Sequence, residues 1–273
     1  MTITATGTAE ALDVAGDLRA LGLPRNGIYL VHSSLRRVGP LAEGPRTLVD
    51  GLRETCGPRS TVLAPTFTAG NSTTTRAYLR RTAHMDREQR RAEEDRIAGF
   101  DRRTSPSQNV GAIPEYIRTA SGSTRSNHPQ TSFSAIGPRA AELLAVHELE
   151  CHLGDDSPLG RLYDNDAVVL LIGVGFDVCT CFHLAEYRLD TPAEKRPYRT
   201  FVMAGGRREP IDFYAPDTED RDFALIGDAM LKKRFVHTGH IGRAPVHWFR
   251  MRAAVDFAVH WMNEFRQPGP ASP

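Results

Sequence analysis

An unbroken apolar segment, Ala167–Val174, constrains the fold more than any other feature of this 273-residue chain. Its hydrophobic residues do not alternate with polar ones, which predicts a strand buried on both faces, as in the centre of a parallel sheet. Two further predicted strands, Gly27–His32 and Ser60–Ala64, lie on either side of a helical segment around Thr47–Leu52. Because strand and helix alternate at the spacing of a βαβ unit, we predict an α/β fold with a mainly parallel central sheet flanked by helices.

The remaining segments complete this fold. Phe201–Met203 and Pro210–Phe213, joined through Gly205-Gly206, predict a β-hairpin. The chain has no internal repeat and no clear linker, so we predict a single domain over residues 1–273. Helices are predicted over Ala9–Leu21, Val110–Thr119, Phe223–Phe235 and Ala253–Phe265.

One segment, Arg76–Arg103, differs in composition from the rest. It is rich in arginine and in acidic residues such as Glu93 and Asp95. Because the charges alternate in sign, the pattern favours a solvated helical insertion with Glu–Arg pairs over a tail that binds nucleic acid. We therefore predict a charged helical insertion at about residues 76–103.

Charge and cysteine content limit the partners and the compartment. Lys and Arg number 34 against 33 Asp and Glu, a net charge of +1 without the basic excess of a general nucleic-acid binder. No apolar run approaches the roughly 18 residues of a membrane helix, and Met1–Glu10 does not resemble a secretory signal. The four cysteines do not make a disulfide framework in a chain this long. We expect a cytoplasmic protein with reduced thiols, a monomer or homodimer without nucleic-acid or membrane partners.

A candidate catalytic pair follows the central strand. The segment Thr180–Glu186 carries His183 and Glu186 three positions apart, on one face if the segment opens a helix. Ligands of open α/β sheets bind outside the carboxyl ends of the strands, where this segment begins. A carboxylate beside an imidazole orients the ring and raises its basicity, so His183 could take a proton from an attacking nucleophile. On spacing alone, a structural histidine between helix and sheet is the alternative.

The pattern Cys179-x-Cys181-x-His183, together with Cys151-His152, raises the question of a metal site. In an extended segment the three residues would face one way. Structural zinc sites, however, usually space their cysteines by about two to four residues and supply four ligands. Packing of small residues beside a buried strand is the favoured interpretation, and we expect neither a bound metal nor a nucleophilic cysteine.

A polar turn, His32-Ser33-Ser34, ends the first predicted strand. Hydroxyls and free amides ahead of a downstream helix form a plausible phosphate site, with a capped loop as the alternative. No Gly-x-Gly-x-x-Gly motif follows the strand and no Walker loop occurs, which disfavours dinucleotide and P-loop chemistry. Further along, His128 precedes Pro129 and is predicted to be extended, and a lone imidazole of this kind is more often structural than catalytic.

Seven short motifs occur in order along the chain. They are Val31-His32-Ser33-Ser34-Leu35 with Val38-Gly39; Pro65-Thr66-Phe67-Thr68; Thr104-Ser105-Pro106-Ser107 with Gly111-x-x-Pro114-Glu115 and Arg118; Arg125-Ser126-x-His128-Pro129-x-x-Ser132-Phe133-x-Ala135-x-Gly137; Ser157-Pro158-Leu159; Leu170-Leu171-Ile172-Gly173-Val174; and Thr180-x-x-His183-Leu184-Ala185-Glu186. In this order they resemble the aminoglycoside 3-N-acetyltransferase family, the coenzyme A-dependent antibiotic N-acetyltransferases. The similarity extends over roughly Leu12–Phe235.

The resemblance implies an α/β fold distinct from the GNAT acetyltransferases, with acetyl-coenzyme A as donor and an aminoglycoside amine as acceptor. It matches His183 to the general base of the family, with Thr180 beside the thioester and Glu186 orienting the imidazole. The implied cofactor-binding residues are His32, Ser33, Ser34, Leu35, Val38, Ser107, Asn109, Arg118 and Thr180, and the implied substrate-binding residues are Phe67, His128, Asp212 and Asp217.

On this interpretation the acetyl group passes directly to the amine, and the resemblance implies antibiotic resistance. His183 would take the proton as nitrogen attacks the thioester, a role worth about 10²–10⁴-fold in rate. Two departures from the family pattern concern the substrate: Cys179 and Cys181 flank Thr180, and the arginine-rich insertion lies where substrate-covering elements sit. The alternatives are a coenzyme A-dependent N-acyltransferase of antibiotic biosynthesis or of another small amine, and a noncatalytic protein that binds zinc or coenzyme A.

Overall fold

The computed structural model describes residues 12–266, so Met1–Glu10 and the start of the helix predicted from Ala9 lie outside the described residues. Within that range no helix is long and apolar enough to cross a bilayer. The helices are α1 Val14–Ala20, α2 Leu35–Val38, α3 Pro45–Cys56, α4 Arg76–Thr82, α5 Arg87–Asp95, α6 Ala112–Thr119, α7 Ala140–Leu143, α8 Pro158–Asp164, α9 Phe182–Glu186, α10 Phe223–Met230 and α11 Met251–Phe265. The strands are β1 Ile28–Ser33, β2 Thr61–Pro65, β3 Thr124–Arg125, β4 Phe133–Ile136, β5 Val168–Ile172, β6 Lys195–Ala204, β7 Arg207–Pro216, β8 His237–Ile241 and β9 Ala244–Arg250.

A mixed sheet forms the centre of the described structure, with the strand order β3-β4-β2-β1-β5-β9-β8. β1 runs parallel to β2 and to β5, whereas the β2–β4, β3–β4, β5–β9 and β8–β9 pairs are antiparallel. The predicted α/β class is confirmed, and the parallel pairing is confined to the three central strands. The sequence analysis missed β8 and β9, because β8 is an edge strand with only Ile241 buried and has no apolar run.

β5 carries hydrophobic core on both faces, as its unbroken apolar sequence predicts. All five of its residues are buried. Val169 and Leu171 share an apolar cluster with α8, α9 and α11, while Val168 and Leu170 share a second cluster with α1, α3 and α6. A shift of one residue would exchange these two sets of side chains between the faces, so two-sided packing fixes the position of the chain that leaves the strand.

Glycine and proline set several helix limits. α3 begins at Pro45, in the first turn where a missing N–H costs nothing, and ends before Gly57 at φ 97°. The helix predicted from Val110 begins at Ala112, because Gly111 has φ 90°. At the other end of the chain, the helix predicted to reach Phe235 ends at Met230.

The arginine-rich segment forms α4 and α5, which lie on the long ribbon of β6 and β7. Phe100 donates its N–H to the Phe201 carbonyl at 2.8 Å and accepts the Met203 N–H at 2.9 Å, so the segment pairs with β6 through its backbone. α5 buries no residue, and its Glu93 forms ion pairs with arginines. The segment is therefore anchored at its apolar end and solvated along α5.

Candidate active site

The segment after β5 brings His183 to the carboxyl edge of the parallel strands. Gly173, at φ 64°, turns the chain away from the sheet, and a 3-10 turn at Phe176–Val178 leads into α9. Phe182, the first residue of α9, is fully buried and packs edge-on against Phe223 of α10 with ring centroids 5.3 Å apart. The helix predicted for this motif is thus present and is held on the core by its first residue.

His183 and Glu186 form a direct hydrogen-bonded pair. Nδ1 of His183 lies 2.6 Å from Oε2 of Glu186. The Glu186 side chain is 2% exposed, whereas that of His183 is 17% exposed. Within the described residues Nε2 of His183 has no hydrogen-bond partner. In the neutral ring the carboxylate selects the Nδ1–H tautomer, which leaves the lone pair of Nε2 free to accept a proton.

The Glu186 carboxylate is satisfied from two further directions. Its Oε1 accepts a hydrogen bond from Nη1 of Arg266 at 2.6 Å and one from the backbone N–H of Glu219 at 2.8 Å. Arg266 in turn binds both carboxylate oxygens of Asp222, at 2.5 and 2.6 Å. The rings of His183 and Phe223 also pack in a T-shaped arrangement, with their centroids 4.8 Å apart. The imidazole is therefore fixed both by its hydrogen bond and by packing.

Sequence reasoning did not find Arg266, Asp222 or Glu219. Arg266 lies 80 positions from Glu186 along the chain, so no local spacing connects the two residues. One signal was available, which is the acidic run Asp217–Asp222 immediately before α10. The run contacts Glu186 through the backbone N–H of Glu219, and it contacts Arg266 through the side chain of Asp222.

Thr180 and its two cysteine neighbours lie just before α9. Thr180 is 6% exposed, and its carbonyl accepts the N–H of His183 at 3.1 Å. Cys179 and Cys181 are fully buried in the apolar cluster with their sulfurs 3.4 Å apart, and burial raises the pKa of the Cys179 thiol. His183 is hydrogen-bonded to Glu186, and across residues 12–266 no three His, Cys, Asp or Glu side chains are placed to hold a metal. Cys179 and Cys181 thus pack in the apolar cluster beside the buried strand, and the absence of a bound metal stays a prediction.

The turn after β1 lies at the same edge of the sheet. Ser33 is in register with Ile172 of β5, and the N–H of Ser34 donates to the Ile172 carbonyl at 2.9 Å. Both serines are partly exposed, and neither hydroxyl has a hydrogen-bond partner in the described part of the chain. Gly111, just before α6, packs against the carbonyl of Ser33, so the first amides of α6 lie next to this turn.

The other predicted residues near this turn are less accessible. The Val38 side chain is fully buried in the apolar core, and Leu35 packs partly buried against it. His32 is 8% exposed, and its Nε2 has no partner among the described residues. Burial lowers the pKa of His32 to about 4, so the ring is neutral near pH 7.

Ser107 and Arg118, two of the predicted cofactor-binding residues, are both bound to Glu115. Ser107 donates to Oε2 of Glu115 from its N–H at 3.0 Å and from its hydroxyl at 2.7 Å. Arg118 forms a bidentate contact with the same carboxylate, from Nε at 2.9 Å and from Nη2 at 2.6 Å. These hydrogen bonds lower the pKa of Glu115 to about 2. Asn109 is exposed at φ 58° between these anchors and Gly111. The two side chains thus hold the loop that leads to α6.

Of the predicted substrate-binding residues, Phe67 and His128 occupy the protein interior to different extents. Phe67 is partly buried and packs edge-on against Phe133 with centroids 5.6 Å apart. His128 is fully buried, with Nδ1 accepting the N–H groups of Gln130 and Thr131 and Nε2 facing the Leu149 carbonyl at 3.2 Å. Both ring nitrogens are used, so His128 offers no free polar atom to a ligand.

Asp212 and Asp217 both have arginine partners. Asp212 is exposed on β7 and pairs with Arg199 at 3.1 Å. Asp217 accepts a hydrogen bond from Arg196 at 2.8 Å and lies 3.4 Å from Arg76 of α4. Of the two carboxylates, Asp217 belongs to the acidic run whose Glu219 N–H binds Glu186, whereas Asp212 lies within β7.

Arg76 also joins the insertion to the acidic run. Its Nη2 lies 3.0 Å from Oε1 of Glu219, the residue whose backbone N–H holds Glu186. Asp220, between Glu219 and the Arg266 partner Asp222, is exposed and has no ion-pair partner in the described residues. Arg76 of α4 therefore neutralises part of the negative charge of the acidic run.

This geometry defines an α/β protein with a hydrogen-bonded histidine–glutamate pair at the carboxyl edge of its sheet. The chain belongs to the aminoglycoside 3-N-acetyltransferase family, whose model matches residues 30–263. The family and the enzyme class expected from the sequence are confirmed.

Curated relatives and solved structures agree with the family. Aminoglycoside N(3)-acetyltransferase VII of Streptomyces paromomycinus is 32% identical, over 94% of this chain and 93% of the relative. Aminoglycoside N(3)-acetyltransferase VIII of Streptomyces fradiae is 33% identical, over 93% of this chain and 92% of the relative.

Three solved structures share the fold. The YokD protein from Bacillus subtilis has a TM-score of 0.84 at 29% identity, covering 93% of this chain and 94% of that one. AAC-IIIb in a binary complex with CoASH has a TM-score of 0.80 at 30% identity, covering 94% and 97%. AAC-VIa bound to sisomicin has a TM-score of 0.78 at 30% identity, covering 92% and 96%.

Proposed function

We propose that the protein transfers the acetyl group of acetyl-coenzyme A to the 3-amino group of an aminoglycoside in the cytoplasm, which gives resistance to the antibiotic. Membership of the family supports the reaction type. The relatives with bound CoASH and bound sisomicin support the two substrates. The observation in this chain that carries the proposal is the His183–Glu186 pair, with Nε2 free at the carboxyl edge of the sheet.

The turn after β1 suits the coenzyme. Ser33 and Ser34 offer unpaired hydroxyls, and the first amides of α6 lie beside them across Gly111. Free amides at the start of a helix favour negative charge, so phosphate oxygens would be bound here without a basic side chain. The unpartnered Nε2 of His32 adds one buried polar atom at the same strand end. With the phosphates at this turn, the thioester would extend toward the end of β5 and His183.

The proposed chemistry is a direct transfer with His183 as the base. Nε2 takes a proton from the acceptor amine while the amine nitrogen forms a bond to the thioester carbonyl carbon. The carbon–sulfur bond then breaks, the electron pair leaves with sulfur, and the proton on Nε2 passes to that sulfur to give the free thiol. Base catalysis of this kind typically contributes about 10²–10⁴-fold. Thr180 or an adjacent backbone amide would stabilise the oxyanion, at about 3 kcal/mol for one donor.

The acidic run supports a cationic acceptor. Asp217, Glu219 and Asp220 belong to the run whose Glu219 N–H binds Glu186, and Asp220 has no ion-pair partner among the described residues. Carboxylates at a partly dehydrated entrance bind ammonium groups more strongly than they would in open water. An aminoglycoside carries several such groups, of which one must lose its proton to react.

One observation favours a different acceptor on the same site. Arg196 and Arg76 already partner Asp217, and Arg199 partners Asp212, so these carboxylates are less available to a polycation. A smaller amine that requires a single carboxylate, such as Asp220, would suit this arrangement. The protein would then be a coenzyme A-dependent N-acyltransferase that acts on another small amine.

A thiol-release assay separates the two acceptors. Wild-type enzyme with acetyl-coenzyme A is offered a panel of aminoglycosides and a panel of simple mono- and diamines. Release of thiol with aminoglycosides at low concentration, and little with simple amines, is the expected result. Turnover restricted to the simple amines would support the second candidate, and release without any amine would show hydrolysis alone.

A further inference from the structure

An ion pair that no catalytic step uses lies behind the His183–Glu186 pair. Arg266 donates a hydrogen bond from Nη1 to Oε1 of Glu186 at 2.6 Å. It also donates to the two carboxylate oxygens of Asp222, from Nη2 at 2.5 Å and from Nε at 2.6 Å. Its side chain is 14% exposed, that of Asp222 10% and that of Glu186 2%. Buried ion pairs add little net stability because dehydration offsets their attraction. The contact with Glu186 is therefore the feature to explain.

We propose that Arg266, oriented by Asp222, is a positioning residue that neutralises Glu186 and so allows His183 to remain an uncharged base. The inference rests on the proposed function in one respect, which is the role of His183 as base.

The Glu186 carboxylate is almost fully buried beside His183. A carboxylate that is almost fully buried requires a positive partner nearby. Two groups within hydrogen-bond distance can supply that charge, which are the Arg266 guanidinium and a protonated His183 ring. Arginine stays charged at all accessible pH values. While Arg266 is present, the ring can donate Nδ1–H to Oε2 in its neutral form and keep the lone pair on Nε2.

Asp222 affects the same balance in the opposite sense. Glu186, Arg266 and Asp222 together carry one net negative charge, which favours a proton on the neighbouring imidazole. Loss of Arg266 would make this charge more negative and promote protonation of His183, whereas loss of the Asp222 charge would disfavour it. The two changes should therefore move the proton equilibrium of the ring in opposite directions.

The remaining groups around the pair do not replace Arg266. Glu219 presents its backbone N–H to Glu186, while its side chain pairs with Arg76 and Arg221. From α10, the uncharged ring of Phe223 faces His183. His152 also lies within electrostatic range, and burial lowers its pKa well below the ordinary value, so it is neutral near pH 7.

The other neighbours are consistent with a permanently charged Arg266. Tyr187 follows Glu186 and is neutral, because burial raises its pKa. Burial alone would lower the pKa of Arg266, but hydrogen bonds to Asp222 and the charge of Glu186 raise it above its usual value. Within the described residues, Arg266 is the cation that touches the Glu186 carboxylate.

Four variants test the proposal. Arg266→Gln removes the charge, Arg266→Lys keeps it, and Asp222→Asn removes the opposing carboxylate. Arg252→Gln is the matched control, because Arg252 lies in the first turn of α11, the helix that Arg266 follows, and its side chain binds the carbonyls of Tyr163 and Asp164. Two readouts are compared, the acid limb of kcat/KM against pH and the NMR titration of the His183 ring, which requires no turnover.

Each variant should shift the two readouts in a definite direction. Arg266→Gln should move the acid limb and the His183 titration to higher pH by about one unit or more. Asp222→Asn should move both to lower pH, and Arg266→Lys and Arg252→Gln should leave both near wild type. A folded Arg266→Gln with unchanged titration and unchanged limb, slower only in kcat, would overturn the proposal and leave a structural role. If Arg266→Gln does not fold, an unchanged titration in Asp222→Asn overturns it instead. If the wild type acetylates no amine, the proposed function fails while the NMR titration still decides the role of Arg266.

Discussion

Ser33, the last residue of β1, is paired in register with Ile172, the last residue of β5. The two strands are parallel, so the chain segments that leave them emerge side by side. One becomes the serine turn and the other leads to His183 in α9. Because ligands of such sheets bind outside the carboxyl ends of the strands, a single strand pair brings the proposed coenzyme turn and the proposed base to one edge.

His183→Ala should abolish acetyl transfer while leaving coenzyme A affinity almost unchanged, because the ring is proposed to move a proton and not to hold the coenzyme. The rate loss should be about 10²–10⁴-fold, measured by thiol release, with affinity measured by calorimetry. His260→Ala is the matched control, since His260 forms a similar pair with Glu264 at 3.5 Å but is 81% exposed on α11. A folded His183→Ala enzyme that keeps more than about a tenth of wild-type turnover would exclude His183 as the base.

Replacing Ser33 and Ser34 together by Val should raise KM for acetyl-coenzyme A far more than KM for the amine. The change removes two unpaired hydroxyls and adds bulk where the first amides of α6 lie beside the turn. Steady-state kinetics with each substrate varied in turn gives both constants from one preparation. Equal affinity of variant and wild type for coenzyme A in calorimetry would contradict the assignment of this turn.

The double variant Cys179→Ser with Cys181→Ser should retain activity and melt at a lower temperature. Both thiols are fully buried, and burial raises the pKa of Cys179, which disfavours the reactive thiolate. The lower melting temperature follows from placing hydroxyls in an apolar cluster. Elemental analysis of the purified wild type should find no stoichiometric zinc. One equivalent of zinc, with unfolding on addition of a chelator, would revive the structural zinc alternative.

Asp217→Asn should raise KM for the amine, and the increase should be larger at low salt, where charges are least screened. Asp212→Asn should raise KM less, because Asp212 is exposed on β7 whereas Asp217 belongs to the run that contacts the catalytic pair. Kinetics at two ionic strengths measure both effects. A fall in KM for Asp217→Asn, caused by release of Arg76 to other partners, would count against an acidic substrate mouth.

Buried histidines should make folding stability fall as the pH falls from 6.5 toward 4. Burial lowers the pKa of His128 and His32 from 6.5 to about 4, so between these values the unfolded chain binds more protons than the folded chain. The stabilisation is complete above pH 6.5, and each ring can remove up to about 3 kcal/mol below that window. Denaturant unfolding at several pH values gives the free energy of unfolding as a function of pH. Between pH 4 and 6.5 this free energy should change less steeply with pH for His128→Asn than for wild type. His260→Ala, which changes an exposed ring, should keep the wild-type slope.

Local patterns predicted the central strand and the contact between His183 and Glu186. The unbroken apolar run of Ala167–Val174 is a direct consequence of burial on both faces, and the spacing of His183 and Glu186 is enough to bring the two side chains together on one helix. The resemblance then supplied the reaction. Glu115 and Arg118 are likewise three positions apart, so the same rule could have indicated that Arg118 is bound by a carboxylate.

Contacts between distant segments were not predictable from spacing. Arg266 meets Glu186 across 80 positions, and Asp222 meets Arg266 across 44. The packing of His128 against His147 and His152 likewise depends on how the loop after α7 folds over β4, which no periodicity records. These contacts decide which imidazole is buried and satisfied and which one keeps a free nitrogen.

The reaction proposed for this protein moves the acetyl group of acetyl-coenzyme A to the 3-amino group of an aminoglycoside. NMR of the purified product, made with wild-type enzyme and carbon-13-labelled acetyl-coenzyme A, tests it most directly. The proposed transfer predicts one labelled acetamide on the 3-nitrogen for each thiol released. A label on another nitrogen or on an oxygen, or thiol release without a labelled aminoglycoside, would contradict it.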